Sequence, residues 1–197
     1  IKTPFIVRWP EKIKKGRTDA LISSIDIAPT FCELAGAPVP ETFQGVSFVP
    51  VLNDNSAETR EYIAAEHNWH DYQAHERAIR NHNFLYIRNF FSELNASPPA
   101  DAVGSLTYQE MIRLYEAGKL NRDQMDCFVT PRKTEELYDV LNDPLQLDNL
   151  AENADYTTIL TEMRGLLDTW IVEFRDKMPE NPTPDKFDRW TGEKLKN

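Results

Sequence analysis

Three of the chain's four histidines, His67, His70 and His75, fall within nine residues. The segment runs His67-Asn68-Trp69-His70-Asp71, and His75-Glu76-Arg77 follows closely. An imidazole held through one nitrogen can offer the other to a ligand, and a carboxylate next in sequence can do the holding. Spacing alone would let His67-x-x-His70 bind zinc, but no cysteine or third close ligand completes such a site. A polar loop of ordinary surface histidines is the plainer alternative, and contact with a polar ligand is the third. Arg77, Arg80 and Arg88 lie in the next two strand-like runs and can cluster on one sheet edge. They can either pair with an anionic ligand from one sheet edge or form a solvated strand face.

Nucleophiles are harder to place. The two cysteines, Cys32 and Cys127, are far apart, match no metal-ligand spacing and are expected to be buried thiols. Tyr138-Asp139, Asp143-Pro144 and Asp148-Asn149 have the look of turn and cap residues, not of reacting groups. Asn95-Ala-Ser97 is a glycosylation sequon followed directly by Pro98.

These residues need elements to position them. The chain has 197 residues, 41% of them hydrophobic and 27% charged, enough for one sizeable core or one domain with part of another. No stretch approaches the roughly 18 apolar residues of a membrane helix. The net charge is −10, and the acidic excess lies wholly in residues 61–197, with 15 basic against 25 acidic side chains. An acidic surface repels phosphate backbones, which excludes nucleic acid as the expected partner. A local cluster of Arg and His can still reverse the sign at a site.

Thr3-Pro-Phe-Ile-Val-Arg-Trp-Pro10 is a short apolar run between prolines and predicts a buried strand. It begins right after Ile1, and that start reads as a cut. A helix is expected from Asp26, with Ile27, Phe31 and Leu34 on its inner face and Gly36 ending it. Residues 41–60 look like a connection pinned by Phe43, Phe48, Val51 and Leu52. Short strands follow at 61–65, 77–80 and 84–88, the last two forming a hairpin over Asn81-His-Asn83. Helices are expected over 107–117 and from Asn121 to about 128. A strand should follow at 137–140, then a long helix from about 155 to 175. Ile159, Met163, Leu166, Leu167, Trp170, Ile171 and Phe174 give that helix a wide apolar stripe. The tail from Met178 is rich in proline and charge and should wrap the surface.

The fold class is therefore α+β, a small antiparallel sheet of about four strands packed on a long C-terminal helix. A strand–helix unit resembling the edge of an α/β domain precedes it. The expected division is 1–55 for that edge and 56–197 for the α+β part.

Three segments, in this order, resemble the sulfatase family. They are TPFIVRWPEKIKKG…DALISSIDIAPTFCELAGAPVPETFQGVSFVPVL over 3–52, AEHNWHDYQAHERAIRNHNFLYIRN over 65–89, and EELYDVLNDPLQLDNLAENADYTTIL over 135–160. The resemblance spans nearly the whole chain and is to the C-terminal part of the family. The second segment and the long insert before Glu135 look most like the heparan N-sulfatase (N-sulfoglucosamine sulfohydrolase) branch.

The resemblance implies hydrolysis of sulfate esters or sulfamates of sugars, of the glycosaminoglycan type. The family uses a formylglycine made from Cys or Ser in a C/S-x-P-x-R context, with calcium held by Asp and Asn oxygens. Neither maps here. Cys32 is followed by Glu-Leu-Ala-Gly, and after Cys127 the Pro131-Arg132 pair stands at plus four and plus five. Calcium and formylglycine are thus expected in a missing N-terminal domain, and no catalytic residue or metal ligand is assigned in this chain. The implied partners are a sulfated carbohydrate and the remainder of a sulfatase chain. A periplasmic, secreted or lysosomal-type location follows from the family alone. By the same resemblance the loop lies at the pocket rim, with His70 and Asp71 matching a His–acid pair of the heparan branch. His67, His70, Asp71, Trp69 and Arg77 are the expected substrate contacts, with Trp69 suited to stack on a sugar face. Two other readings stay open. One is a non-catalytic carbohydrate-binding or scaffold domain, and the other is part of a phosphonate or phosphodiester hydrolase of the same superfamily.

Overall fold

A computed structural model describes residues 2–196, which separate into two compact units. The first contains residues up to 63 together with 80–83, and the second contains 64–79 and 84 onward.

The first unit is organised by a buried carboxylate. Ser24–Asp26 form a turn of 3-10 helix that leads into α1 (Ile27–Leu34), and a second short helix, α2, covers Val49–Asn53. Asp26 is fully buried. Its two oxygens accept from the backbone N–H of Ser23 at 2.7 Å and of Val46 at 2.8 Å, and Arg60 closes the set as an ion pair. One turn on, Thr30 Oγ1 donates to the Asp26 carbonyl at 2.6 Å and accepts from Phe48 N–H at 3.0 Å. Two polar side chains thus staple the 45–48 segment onto α1, and Phe48 and Val51 bury beside them. Gly45 is required for that approach, because a Cβ there would stand 2.1 Å from the Ile25 carbonyl oxygen.

This arrangement overturns two expectations. The inner face of α1 carries Pro29 and Thr30, while Phe31 and Leu34 are exposed. The helix is positioned by satisfied polar groups, and its apolar stripe is left outward. Residues 3–9 form no strand and are exposed throughout. A strand needs a neighbour for its N–H and C=O groups, and the four strands of the sheet do not include this run. Only the helical half of the expected strand–helix unit is therefore present.

The sheet has the order β1 (Ile63–His67), β2 (Glu76–Arg80), β3 (Phe84–Asn89) and β4 (Glu135–Asp139). The β1–β2 and β2–β3 connections are too short for a crossover, so these neighbours are antiparallel. β3 and β4 pair antiparallel in the register Phe84↔Asp139 to Arg88↔Glu135. The apolar side chains that this meander buries include Ala78, Ile79, Leu85, Tyr86 and Leu137, and Arg77 and Asn89 are buried with them.

The long helix α5 (Thr157–Glu173) buries Leu160, Met163 and Leu167, a narrower stripe than expected. Ion pairs tie it to the sheet as well. Glu135 takes a two-point contact from Arg164 and accepts from the Tyr86 hydroxyl, and Arg88 Nη1 reaches Asp168 at 2.7 Å. Arg88 is therefore spent on α5 and forms no edge cluster with Arg77. Asn149 acts as the expected turn residue, accepting from Leu137 N–H and Ala151 N–H.

Between β3 and β4 lie α3 (Ala100–Val103) and α4 (Leu106–Glu116), followed by a 3-10 turn at Asp126–Phe128. That turn is all that forms of the helix expected from Asn121. The Asn121 and Gln124 side chains cap each other's backbone N–H, which closes a turn without nucleating a helix. Cys32 and Cys127 are free and half-buried, not fully buried as expected. Among the described residues no helix is long and apolar enough to cross a membrane.

Asp26→Ala should cost about 3 kcal/mol of stability, since it orphans two buried N–H groups and the Arg60 guanidinium. Urea unfolding followed through Trp9 fluorescence checks this. A loss under about 1 kcal/mol would show that the carboxylate does not organise the unit.

Candidate functional site

β1 ends at His67 and β2 begins at Glu76, so the segment 68–75 has no strand ladder of its own. Its polar groups must find other partners. The first is Arg77, whose side chain is only 2% exposed. Its Nε and Nη2 bind both Asp176 oxygens at 2.7 and 2.9 Å, just beyond the end of α5. Nη1 donates to Asn68 Oδ1 at 3.0 Å and to the Glu76 carbonyl at 2.8 Å. Nη2 also lies 3.3 Å from His75 Nδ1. Five donors thus meet five acceptors, the full capacity of a guanidinium.

The titration of the neighbours follows. The Arg77 hydrogen bond holds the Asp176 carboxyl below the usual carboxylate range, against the cost of burial. Burial pushes the His75 pKa down, and the Arg77 charge adds to the effect. His75 is accordingly neutral at pH 7, with Nδ1 accepting. Its ring meets Phe90 edge-on at 4.7 Å, and its carbonyl accepts from Phe90 N–H at 3.1 Å.

The second partner is α3. Asp71 Oδ2 accepts from Ala100 N–H at 2.9 Å, one of the N–H groups that a helix start leaves unpaired. The same oxygen stands 3.4 Å from His70 Nδ1. His70 is otherwise open, its side chain 74% exposed. The third partner is the C-terminal tail. Trp69 Nε1 donates to the Pro184 carbonyl at 2.8 Å, and Lys186 N–H donates to the Asp71 carbonyl at 2.9 Å. Asp185 and Arg189 hold Gln73.

The segment so held forms one wall of a cleft of about 110 Å³. Residues 94–97 form the facing wall, and Arg132 and Arg189 close the cleft. On the first wall Glu76 lies between an imidazole and a guanidinium. His67 Nδ1 is 3.2 Å from Glu76 Oε2, and Arg132 Nη1 donates to Oε1. Burial alone would raise the Glu76 pKa, but the hydrogen bonds from His67 and Arg132 outweigh it and hold the carboxyl at about 2.

Of the residues singled out in the sequence, His67, His70 and Asp71 line this cleft. Trp69 lies outside the lining, partly exposed with its indole N–H tied to the tail. Arg77, expected to meet a ligand, is instead buried with every donor occupied. His67 and His70 each turn Nδ1 to a different carboxylate, which is not the convergence that zinc requires. Among the described residues no group of three or more His, Cys, Asp or Glu side chains is placed to hold a metal ion. Glu76, Arg132 and Arg189 complete the cleft without having stood out in the sequence. In the sequence Arg132 stands out only by its spacing from Cys127. Its real partner, Glu76, is 56 positions away, and no local pattern signals that pairing.

Comparison with known proteins places this geometry in context. Residues 1–95 match the family described as N-sulphoglucosamine sulphohydrolase, C-terminal. The chain is 36% identical, over 98% of its length, to an ulvan-active sulfatase of Formosa agariphila, and covers 32% of that protein. It is 26% identical over 91% of its length to an N-acetylglucosamine-6-O-sulfatase of Bacteroides thetaiotaomicron, covering 26% of it. The chain thus spans about a third of the length of the ulvan-active relatives it matches. A solved complex with the substrate D-glucosamine-2-N,6-O-disulfate shares the fold at a TM-score of 0.61 and 22% identity, over 88% of this chain and 29% of that one.

The Glu76 cluster predicts an acid limb to stability. A carboxyl whose folded pKa is about 2, against 4.5 ordinarily, stabilises fully above 4.5 and loses that contribution as pH falls towards 2. Discounted for solvent contact, the contribution is about 1–2 kcal/mol. Glu76→Gln should therefore flatten the wild-type loss between those two pH values, measured by urea unfolding at each pH. Parallel acid limbs in the two proteins would contradict the assignment.

Proposed function

The chain belongs to the sulfatase family, whose C-terminal region it matches, and from that premise we propose that it is the C-terminal portion of an enzyme hydrolysing sulfate esters or sulfamates of sugars. The substrate class in this reading is a sulfated saccharide of the glycosaminoglycan type, with heparan N-sulfate as its finer form. The match to the N-sulphoglucosamine sulphohydrolase description supports the finer form.

The observation that carries the reading is the state of His70. Its Nδ1 faces Asp71, whose carboxylate is itself anchored on a helix start, while Nε2 has no partner among the described residues. An imidazole so held offers one directed hydrogen bond to a sugar hydroxyl or a sulfate oxygen. His67, braced by Glu76, stands on the same wall. Ligand sites that enclose a whole small molecule are about 300–1,000 Å³. At about 110 Å³ this cleft takes one group of a ligand and leaves the rest to surfaces beyond it. Trp69, exposed alongside, can offer a ring face to a neighbouring sugar.

The cleft residues bind and orient, and none is placed to break a bond. Cys127 is half-buried, and burial raises its pKa, which disfavours the thiolate. The residues present do not fit a calcium site, so no step is routed through one. In the complete enzyme the metal and formylglycine belong to the part of the protein outside this chain.

Two outcomes are expected. The purified chain should give only background turnover of a chromogenic aryl sulfate in calcium, and calcium-dependent turnover would sink the assignment. In the complete enzyme, His70→Ala should raise KM roughly 3- to 100-fold with kcat nearly kept, because the lost hydrogen bond serves ground and transition states alike. A large fall in kcat at unchanged KM would make His70 catalytic. No change in either constant would return it to an ordinary surface side chain.

A further inference from the structure

The tail beyond Met178 is more than a surface wrap. Residues 186–195 close on themselves: Leu195 N–H donates to the Lys186 carbonyl at 2.9 Å, and Phe187 bridges Lys194. The Asp188 side chain accepts from the N–H groups of Trp190 and Thr191. This small hairpin presents Arg189, whose side chain is 12% exposed, between the two walls of the cleft.

Arg189 Nη2 donates to the Gln73 carbonyl at 2.8 Å, on the wall that carries His70. Nη1 donates to the Asn95 carbonyl at 2.6 Å, on the facing wall. Nε and Nη2 bind both oxygens of Asp185 at 2.6 and 2.9 Å, and Asp185 Oδ1 accepts from Gln73 N–H at 2.6 Å. The Asp185–Arg189 pair therefore takes both backbone groups of Gln73, as a neighbouring strand would. Tyr72 lies under the guanidinium, 5.0 Å from ring centre to Cζ, which fixes its plane. A planar fork can hold two carbonyls at a set separation, whereas a lysine ammonium is a single point on a flexible stem.

We propose that Arg189 is a positioning residue, a strut that sets the separation of the cleft walls and thereby the placement of His70. The proposal rests on the reading of the cleft as a sugar-contact site. Its specificity consequence is that the tail defines which sulfated group the cleft admits.

The test compares wild type, Arg189→Ala, Arg189→Lys and Asp185→Asn in the complete enzyme. Three readouts are taken: amide hydrogen exchange, the His70 imidazole chemical shift, and kinetics on D-glucosamine-2-N,6-O-disulfate. Exchange in Arg189→Ala should quicken at least about tenfold across 70–75 and 95–97 and stay unchanged in β3 and α5. The His70 resonance should move, and KM should rise about tenfold with kcat within about twofold. Arg189→Lys should resemble Arg189→Ala, and Asp185→Asn should fall between. Should Arg189→Ala fail to fold, the Lys and Asn variants carry the same comparison. Unchanged exchange at the walls, or a lysine variant identical to wild type, overturns the strut. Faster exchange with an unmoved His70 resonance and unchanged KM also overturns it, leaving Arg189 a purely structural tie. If wild type does not turn over the disulfate at all, the functional reading fails at that step, while exchange and the His70 resonance still decide the strut.

Discussion

A buried arginine with every donor paired governs the second unit. Arg77 stands on β2 and binds Asp176 shortly past α5, Asn68 just after β1, the Glu76 carbonyl on β2 and the His75 ring just before it. A guanidinium out of water is costly unless its partners are complete. Completeness here requires β2, the end of α5 and the start of the 68–75 segment to hold one arrangement together. That arrangement also requires a neutral His75, since a protonated ring would lose the acceptor nitrogen and face a like charge. The position of His70 is thus a consequence of core electrostatics several residues away.

The cleft follows from that constraint and from two others. Asp71 spends its carboxylate on a helix start, and Glu76 spends its own on His67 and Arg132. Each histidine at the mouth is therefore backed by an anion that is itself anchored. The acidic excess of residues 61–197 does not go unopposed at the cleft, because its lining carboxylates Asp71 and Glu76 are hydrogen-bonded and Arg132 and Arg189 share the lining with them. A cleft built this way can receive an anionic group despite the chain's net charge of −10.

The sequence was legible where local pattern and tertiary environment agree. The β2–β3 hairpin follows from two short strand-like runs around a polar turn, and α4 and α5 from 3.6-residue periodicity. The histidine cluster was visible as composition, and three of its members do line one cleft. What stayed hidden lies far apart along the chain. Arg77 meets Asp176 across 99 positions, and Gln73 meets Asp185 across 112. Neither pairing has a local signature, so the sequence alone offers Arg77 as a ligand contact and the tail as a surface wrap. The α1 stripe misled for another reason: Asp26 and Thr30 satisfy three backbone N–H groups and the Arg60 guanidinium, and that polar set turned their face inward.

The central claim is that the cleft beside the 68–75 segment receives a sulfated group of a sugar. Titration of the chain with D-glucosamine-2-N,6-O-disulfate and, separately, with unsulfated glucosamine, followed by NMR at each residue, tests it most directly. The account predicts saturable shifts of the His67 and His70 imidazoles and of the amides of 70–75 and 95–97, with the disulfate alone. Equal responses to both sugars, or shifts confined to residues 2–63, would contradict it.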